Sequence, residues 1–447
     1  MRKCATVCLV ILIVPLAAMA QRRSLSLDEA IAAGLEASPG LHASRMKVEA
    51  SAAKTRESVA DRLPALRFGG GYTRLSQVPP FEVSLPIFPN PIVVSQNYFN
   101  NWNLKMSVQQ PLFTGFRLEA GTESARMLER SAALDLEKDR SEFIFAVKSS
   151  YWGLAKAQEF QAVIEENIRE VEEQLADVRA FFGQGLLTRN EVLRAELQLS
   201  NTKLMAIDAR NAVELARTSL NNLIGLPIAT DLDLTTSPES LASQAPETER
   251  ASDNAAAAQP LINQALASRP EIKAAEFRIK ASEAGVKAAA AGWYPQVALA
   301  GNYYYLRPNP RLMPAQDRFY GTWDIGLAVS FDVWNWGQTK SQSEQARSQL
   351  AQARDARKLL EDQAVLDVTQ SRLALAQARE KIKVAGEAVG QADENLRIVR
   401  EKFKQGVALN TEVLDADVFL LQARMARTQA AIDLVLAQAR LDKALGL

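Results

Sequence analysis

The chain has 447 residues, with 52 basic and 52 acidic side chains and a single histidine. A formal charge of zero gives no electrostatic support to nucleic-acid binding. Its two cysteines, Cys4 and Cys8, both lie at the extreme N-terminus, so the remainder has no disulfide, thiolate nucleophile or cysteine metal site.

Arg2 and Lys3 precede an apolar run from Val7 to Leu16, and Ala18-Met19-Ala20 forms an A-x-A cleavage pattern before Gln21. Residues 1–20 read as a secretory signal peptide, too short for a spanning helix. Its removal takes both cysteines and brings the net charge to −2. No cysteine follows the small residues, so a lipidated N-terminus is not expected. No later stretch approaches the ~18 apolar residues of a spanning helix. A membrane segment would have to be built from strands.

The rest is organised by repetition. "VRAFFGQGLLTRNEVLRAE", from Val178 to Glu196, returns as "VREKFKQGVALNTEVLDAD", from Val399 to Asp417, with nine of nineteen positions identical at an offset of 221. Gly225-Leu226 matches Gly446-Leu447 at the same offset, and Gly115 matches Gly337 at 222. Ser38-Pro39 and Arg269-Pro270, like Pro64 and Pro295, are 231 apart, so the first copy has a longer insert after Pro64. The first repeat occupies 21–226, with matched elements from 27, and the second 260–447. The Ser/Thr/Pro/Ala-rich stretch 227–259 between them reads as a linker.

Each copy opens with a helix, 27–62 or 260–293, and Ser26 is a good N-cap for the first. A β-hairpin follows, over about 64–114 in copy one and 295–333 in copy two. Its leading strands lie near 65–77 and 296–307. In the second strands Trp102, Leu104, Met106 and Val108 alternate with polar residues, as do Trp323, Ile325, Leu327 and Val329. Period two gives one apolar and one polar face. Glycines in "FGGGY", residues 68–72, suit barrel bending and not a phosphate loop. Tyr72, Trp102, Tyr303, Tyr304, Tyr305 and Trp323 suit interfacial girdles.

No proline occurs from 112 to 226 or from 315 to 447, and the composition there favours helix. Helices over 116–182 and 338–404 would each run roughly 100 Å. Gly185 and Gly406 then reverse the chain, and shorter helices, 188–222 and 410–445, run back. His42 reads as a surface helix residue with no partners for a metal site, and no nucleophile, base and orienter constellation is visible, so an enzyme is not expected. No cofactor is expected either.

Four strands with an apolar face cannot close a membrane barrel, and an open edge in lipid leaves backbone groups unpaired at several kcal/mol each. Membrane strands therefore require oligomerisation. Two copies give eight strands with a filled interior, and three give twelve with a lumen.

The secreted N-terminus, the tandem repeat, the paired hairpins and the duplicated G-x₅-E-V-L turn resemble the TolC family of outer-membrane efflux proteins, over essentially all of the mature chain. The resemblance implies a mainly α fold with membrane β: long coiled-coil helical hairpins forming an α-barrel, and four strands per chain of a trimeric 12-stranded transmembrane β-barrel. It implies a homotrimer in the outer membrane of a Gram-negative-type cell, extending into the periplasm. Its partners would be outer-membrane lipid, a periplasmic adaptor protein and an inner-membrane pump. The role implied is the passive exit duct of a tripartite efflux or type I secretion system. Trp102, Leu104, Met106, Val108, Trp323, Ile325, Leu327 and Val329 would face lipid. By the same resemblance Glu412 and Asp415 match an acidic ring at the closed periplasmic entrance, a gate and cation site. They are three apart and share a helix face. Gly185, Leu186, Leu187, Glu191, Val192 and Leu193, with Gly406, Val407, Val413 and Leu414, would form the hairpin tips, where the apolar members either pack the hairpin or meet the adaptor. The family's tyrosine–arginine lock is not carried over, because Val407 and Ala408 occupy that neighbourhood. The alternative from another class is a periplasmic coiled-coil scaffold without a pore, which leaves the alternating strands unburied.

Overall fold

The computed structural model describes residues 23–236 and 255–447, apart from 80, 84–85, 88, 90–91 and 96. The expected signal peptide and most of the expected linker lie outside these residues. The first half contains β1 (Arg23–Leu25), α1 (Leu27–Ala37), α2 (Pro39–Ala60), β2 (Ala65–Arg74), β3 (Phe81–Val83), β4 (Ile92–Ser95), β5 (Asn100–Phe113), α3 (Arg117–Gly183) and α4 (Arg189–Leu223). After β6 (Leu232–Leu234) come α5 (Ala255–Ser268), α6 (Pro270–Ala289), a 3₁₀ turn (Ala290–Trp293), β7 (Gln296–Arg307), β8 (Tyr320–Ser330), α7 (Gln338–Lys404) and α8 (Asn410–Ala444). Both copies thus carry a 67-residue helix followed by a 35-residue one.

The opening helix of each copy is two helices and not one. Ser38 adopts φ −68°, ψ 116° before Pro39, because a proline ring crowds the preceding residue out of the α region. Arg269 does the same before Pro270, at φ −58°, ψ 125°. Ser26 caps α1 as expected: its Oγ accepts from the Glu29 N–H, and its own N–H donates to Glu29 Oε2 at 2.9 Å. His42 is exposed on α2.

The strand-to-helix turns also correct the repeat register. Left-handed backbone falls on Gly115 and Phe116 in copy one, and on Trp336 and Gly337 in copy two. The structural offset there is 221, not the 222 obtained by matching Gly115 to Gly337. Thr114 and Asn335 then occupy equivalent places, each accepting through its carbonyl from the N–H three residues on.

The chain divides into two compact units, each drawn from both copies. One comprises residues up to His42, Asp139–Ser268 and Ala364–Leu447. Tyr151 and Trp152 are fully buried here, packed with Leu25, Ala30, Leu220, Ile224 and Ile432. The Tyr151 hydroxyl donates to the Leu25 carbonyl and accepts from the Thr236 N–H, which ties it to the parallel β1–β6 pair. A separate core around Leu175, Val178, Leu396, Phe403, Val413 and Leu420 joins α3, α4, α7 and α8 near their turns.

The other unit comprises Ala43–Lys138 and Arg269–Gln363. It holds one antiparallel sheet of order β2-β5-β7-β8, so β5 of copy one pairs with β7 of copy two. β2 and β8 are its two edges. The long loop of copy one adds a small hairpin, β3–β4, that the sequence did not signal. Arg278 binds Asp135, and Arg354 and Arg357 reach Glu283 and Glu276, so α6 is held to α3 and to α7.

Gly225 separates two costs of replacing glycine. At φ 75° an added Cβ would sit 2.4 Å from Ala37 Cβ, whereas Gly185 at φ 77° has open space around it. Gly185→Ala is expected to cost roughly 1 kcal/mol of backbone strain. Gly225→Ala adds a steric clash and should cost about 1–3 kcal/mol more. Thermal melts of the two purified variants check this, with Gly225→Ala giving the larger drop in Tm.

Candidate functional site

Two places concentrate the candidate residues, and each lies within one unit. At the first, both long helices end in the same hydrogen-bond pattern. The N–H groups of Leu186 and Val407 reach back to the Phe181 and Lys402 carbonyls, while Gly185 and Gly406 donate to Phe182 and Phe403. This Schellman closure needs left-handed backbone at the glycine, and both glycines supply it. Phe181 and Phe403 meet edge to face, with ring centroids 5.4 Å apart, just inside the two turns.

The expected tip residues divide by environment. Val413 is buried, and Val192 and Leu187 pack against the same core. Leu186, Leu193, Val407 and Leu409 are exposed. Leu414 is half-buried. Glu412 and Asp415 both lie on the exposed face of α8, opposite Val413 and Ala416. Glu412 also accepts from the Leu409 N–H at 3.1 Å. Leu409 has no acceptor to return that bond, so only the carboxylate half of a capping box is made. Asp415 has no ion pair among the described residues. Glu191 differs from its counterpart Glu412: it lies 3.8 Å from Arg194 and within 3.4 Å of the Asn410 amide, so its charge is used inside the chain.

A buried polar cluster not singled out from the sequence begins two residues beyond Asp415 on α8. Asp417 is 3 % exposed and accepts from Asn167 Nδ2 at 2.8 Å. Arg400 lies 3.6 Å from the Asp417 carboxylate and 4.0 Å from Glu170. Arg424 reaches Glu170, Glu166 and Asp393. Burial pushes the Asp417 carboxyl up to about 6, helped by the nearby Glu170 charge and opposed by Asn167 and Arg400. The sequence signal was available: Asp417 continues the Val413, Ala416, Leu420 face, where an acid breaks an apolar stripe.

The second place is the four-stranded sheet. Its register puts Phe68, Met106, Tyr303 and Trp323 in one row and Leu66, Val108, Gly301 and Ile325 in the next, on the same face. Trp323, Ile325, Leu327 and Val329 are 61–70 % exposed, and Trp102, Met106 and Val108 are exposed as well. Leu104 is half-covered, lying over Gly70, where a Cβ would come within 3.0 Å of it. Tyr72 and Trp102 pack with centroids 4.6 Å apart at one end of this face. Tyr303 and Tyr305 share the face; Tyr304 does not. It lies opposite Lys105 and Thr322 on the polar side, with the ammonium 5.2 Å from its ring. Among the described residues no helix is long and apolar enough to cross a membrane.

A sheet with one exposed apolar face, on a chain with duplicated helical hairpins, matches a known sequence pattern. The family described as outer membrane efflux protein matches residues 30–226 and 261–447. The chain belongs to this family. Outer membrane efflux protein BepC of Brucella suis biovar 1 (strain 1330) is 26 % identical over 352 residues, covering 78 % of this chain and 73 % of BepC. Two solved structures share the fold. The outer membrane protein VceC of Vibrio cholerae superposes with a TM-score of 0.76 at 19 % identity, over 94 % of this chain and 96 % of its own. The MtrE outer membrane channel of Neisseria gonorrhoeae, in its open state, gives 0.76 at 21 %, over 94 % and 88 %. As an outer membrane efflux protein, the chain is an exit duct of the outer membrane that extends into the periplasm.

The raised Asp417 value fixes a sign. Its folded-state value of about 6 lies above the ordinary 3.8, so the folded protein binds this proton more tightly than the unfolded chain. The resulting stability is fully present below about pH 4 and is lost as pH rises through about 6. Thermal stability of the detergent-purified protein should therefore fall between these values, by an amount worth a few kcal/mol at most. Asp417→Asn should flatten that part of the profile.

Proposed function

We propose that three copies of this chain close into one duct that passively conducts solute delivered by an inner-membrane pump, as part of a tripartite efflux or type I secretion system. The observation that carries this reading is the β2-β5-β7-β8 sheet, whose edge strands β2 and β8 have no further strand beside them among the described residues, and its exposed apolar face. In lipid each unpaired backbone group costs several kcal/mol, so the edges must meet edges of other copies. Three sheets give twelve strands, enough for a lumen. The eleven residues of β8 span roughly 25 Å when tilted as in membrane barrels, the height of the apolar band.

The helical hairpins support the periplasmic half of the reading. α4 carries Leu193, Leu197, Leu204 and Ile207 exposed at coiled-coil spacing, a seam that suits a helix of another copy. Leu186, Val407 and Leu409 at the turns suit an apolar contact with an adaptor protein. Glu412 and Asp415, exposed and one turn apart, would gather six carboxylates in a trimer and form the entrance gate. The coiled-coil scaffold without a pore gives the apolar sheet face nothing to cover it.

Native mass spectrometry of the detergent-extracted protein is expected to show a trimer; a stable monomer would sink the duct. In single-channel recordings, Glu412→Gln with Asp415→Asn is expected to weaken block by divalent or trivalent cations, because it removes converging negative charge. Glu191→Gln should matter less, since Arg194 and Asn410 already engage Glu191. Unchanged block in the double variant would reduce both acids to helix-start residues.

A further inference from the structure

The polar face of the sheet carries an imbalance of charge that the duct reading does not by itself explain. Two rows on this face are Arg67–Ser107–Asn302–Asp324 and Gly69–Lys105–Tyr304–Thr322. Among the described residues of the four strands, Arg67, Lys105 and Asp324 are the charges on this face away from the strand ends. Asp324 is already compensated: Asn302 Nδ2 donates to it at 2.7 Å and Arg311 lies 3.6 Å away. Arg67 and Lys105 have no carboxylate within ion-pair distance among the described residues. Their register makes them diagonal neighbours on adjacent strands, with Cβ atoms about 7 Å apart.

The surroundings keep these two cations available. Gly69 and Gly71, on the same face of β2, have open space where a side chain would be, and Arg67 is exposed while Lys105 is half-buried. The Lys105 ammonium lies 5.2 Å from the Tyr304 ring centre, a cation–π contact that orients it without neutralising it. On the other side of the sheet are apolar side chains that would face hydrocarbon. A low-dielectric backing focuses the field of wall charges into the aqueous side.

We propose that Arg67 and Lys105 form a cationic patch that makes the membrane section of the duct anion-attracting, and that the solutes it favours carry carboxylate, sulfate or phosphate groups. The proposal rests on the trimeric duct, in which the patch repeats three times around the lumen. Its reach is set by screening: about 10 Å at 0.1 M salt and about 3 Å at 1 M. In a twelve-stranded lumen the patch therefore acts on solute near the wall, and its influence grows as salt is lowered.

The test is ion selectivity of the full-length protein in planar bilayers, from the zero-current potential across a KCl gradient. It is made in the Glu412→Gln, Asp415→Asn background, so that the acidic residues of the helical hairpins do not dominate. Arg67→Gln with Lys105→Gln is expected to lower the chloride-to-potassium permeability ratio about threefold near 0.1 M KCl and hardly at all near 1 M. Lys105→Glu alone makes the same change of charge per chain and should lower it about as far, whereas Lys105→Arg should keep the natural ratio. Heat-modifiable migration of each variant confirms that the assembly has formed. A ratio that is unchanged at low salt in a conducting double variant overturns the patch and leaves the duct standing. A chain that forms no channel in any variant overturns the duct and the patch with it.

Discussion

A strand in hydrocarbon must give every backbone N–H and C=O a partner, and one copy of this chain cannot do so. Its sheet ends at β2 and β8, and the rows of apolar side chains across it are left exposed by the described residues. Much else answers to that constraint. The two copies must each give a hairpin to the same sheet, so β5 pairs with β7 across the repeat boundary. The opposite, polar face is lined in part with Gly69, Gly71, Ala300 and Gly326, which fill little space.

The helical hairpins solve a different problem with the same economy. A helix of 67 residues ends in four carbonyls without intrahelical partners. A left-handed glycine followed by an apolar residue gives two of them partners, and it recurs at Gly185, Gly225, Gly406 and Gly446. Because both copies use it at the same place, the four helices near Gly185 and Gly406 share one core, with Phe181 against Phe403 at its end.

Duplication has not kept the two hairpins equal. Glu191 turns into contacts with Arg194 and Asn410, whereas Glu412 and Asp415 stay on an exposed face. Asp417 has Glu196 as its counterpart, yet Asp417 is buried beside Asn167 and Glu196 binds Arg179 near the surface. An acidic side chain under apolar cover costs free energy unless it is paired or protonated, and here Asn167 and Arg400 offset only part of that cost.

The sequence alone settled what depends on local chemistry and periodicity. Alternation gave the strand faces of β5 and β8, the absence of proline gave the long helices to within a residue, and an echo at 221 gave the paired turns. Where it went wrong, a neighbour decided. A proline ring split each opening helix at Ser38 and Arg269, and Tyr304 left the aromatic band because side chains one residue apart point to opposite faces. Only the tertiary structure could join β5 to β7, bury Asp417 against Asn167 some 250 residues away, and leave Arg67 and Lys105 diagonal neighbours with no carboxylate in ion-pair distance among the described residues. Those are pairings between distant segments, and no local periodicity encodes which distant residue will arrive opposite.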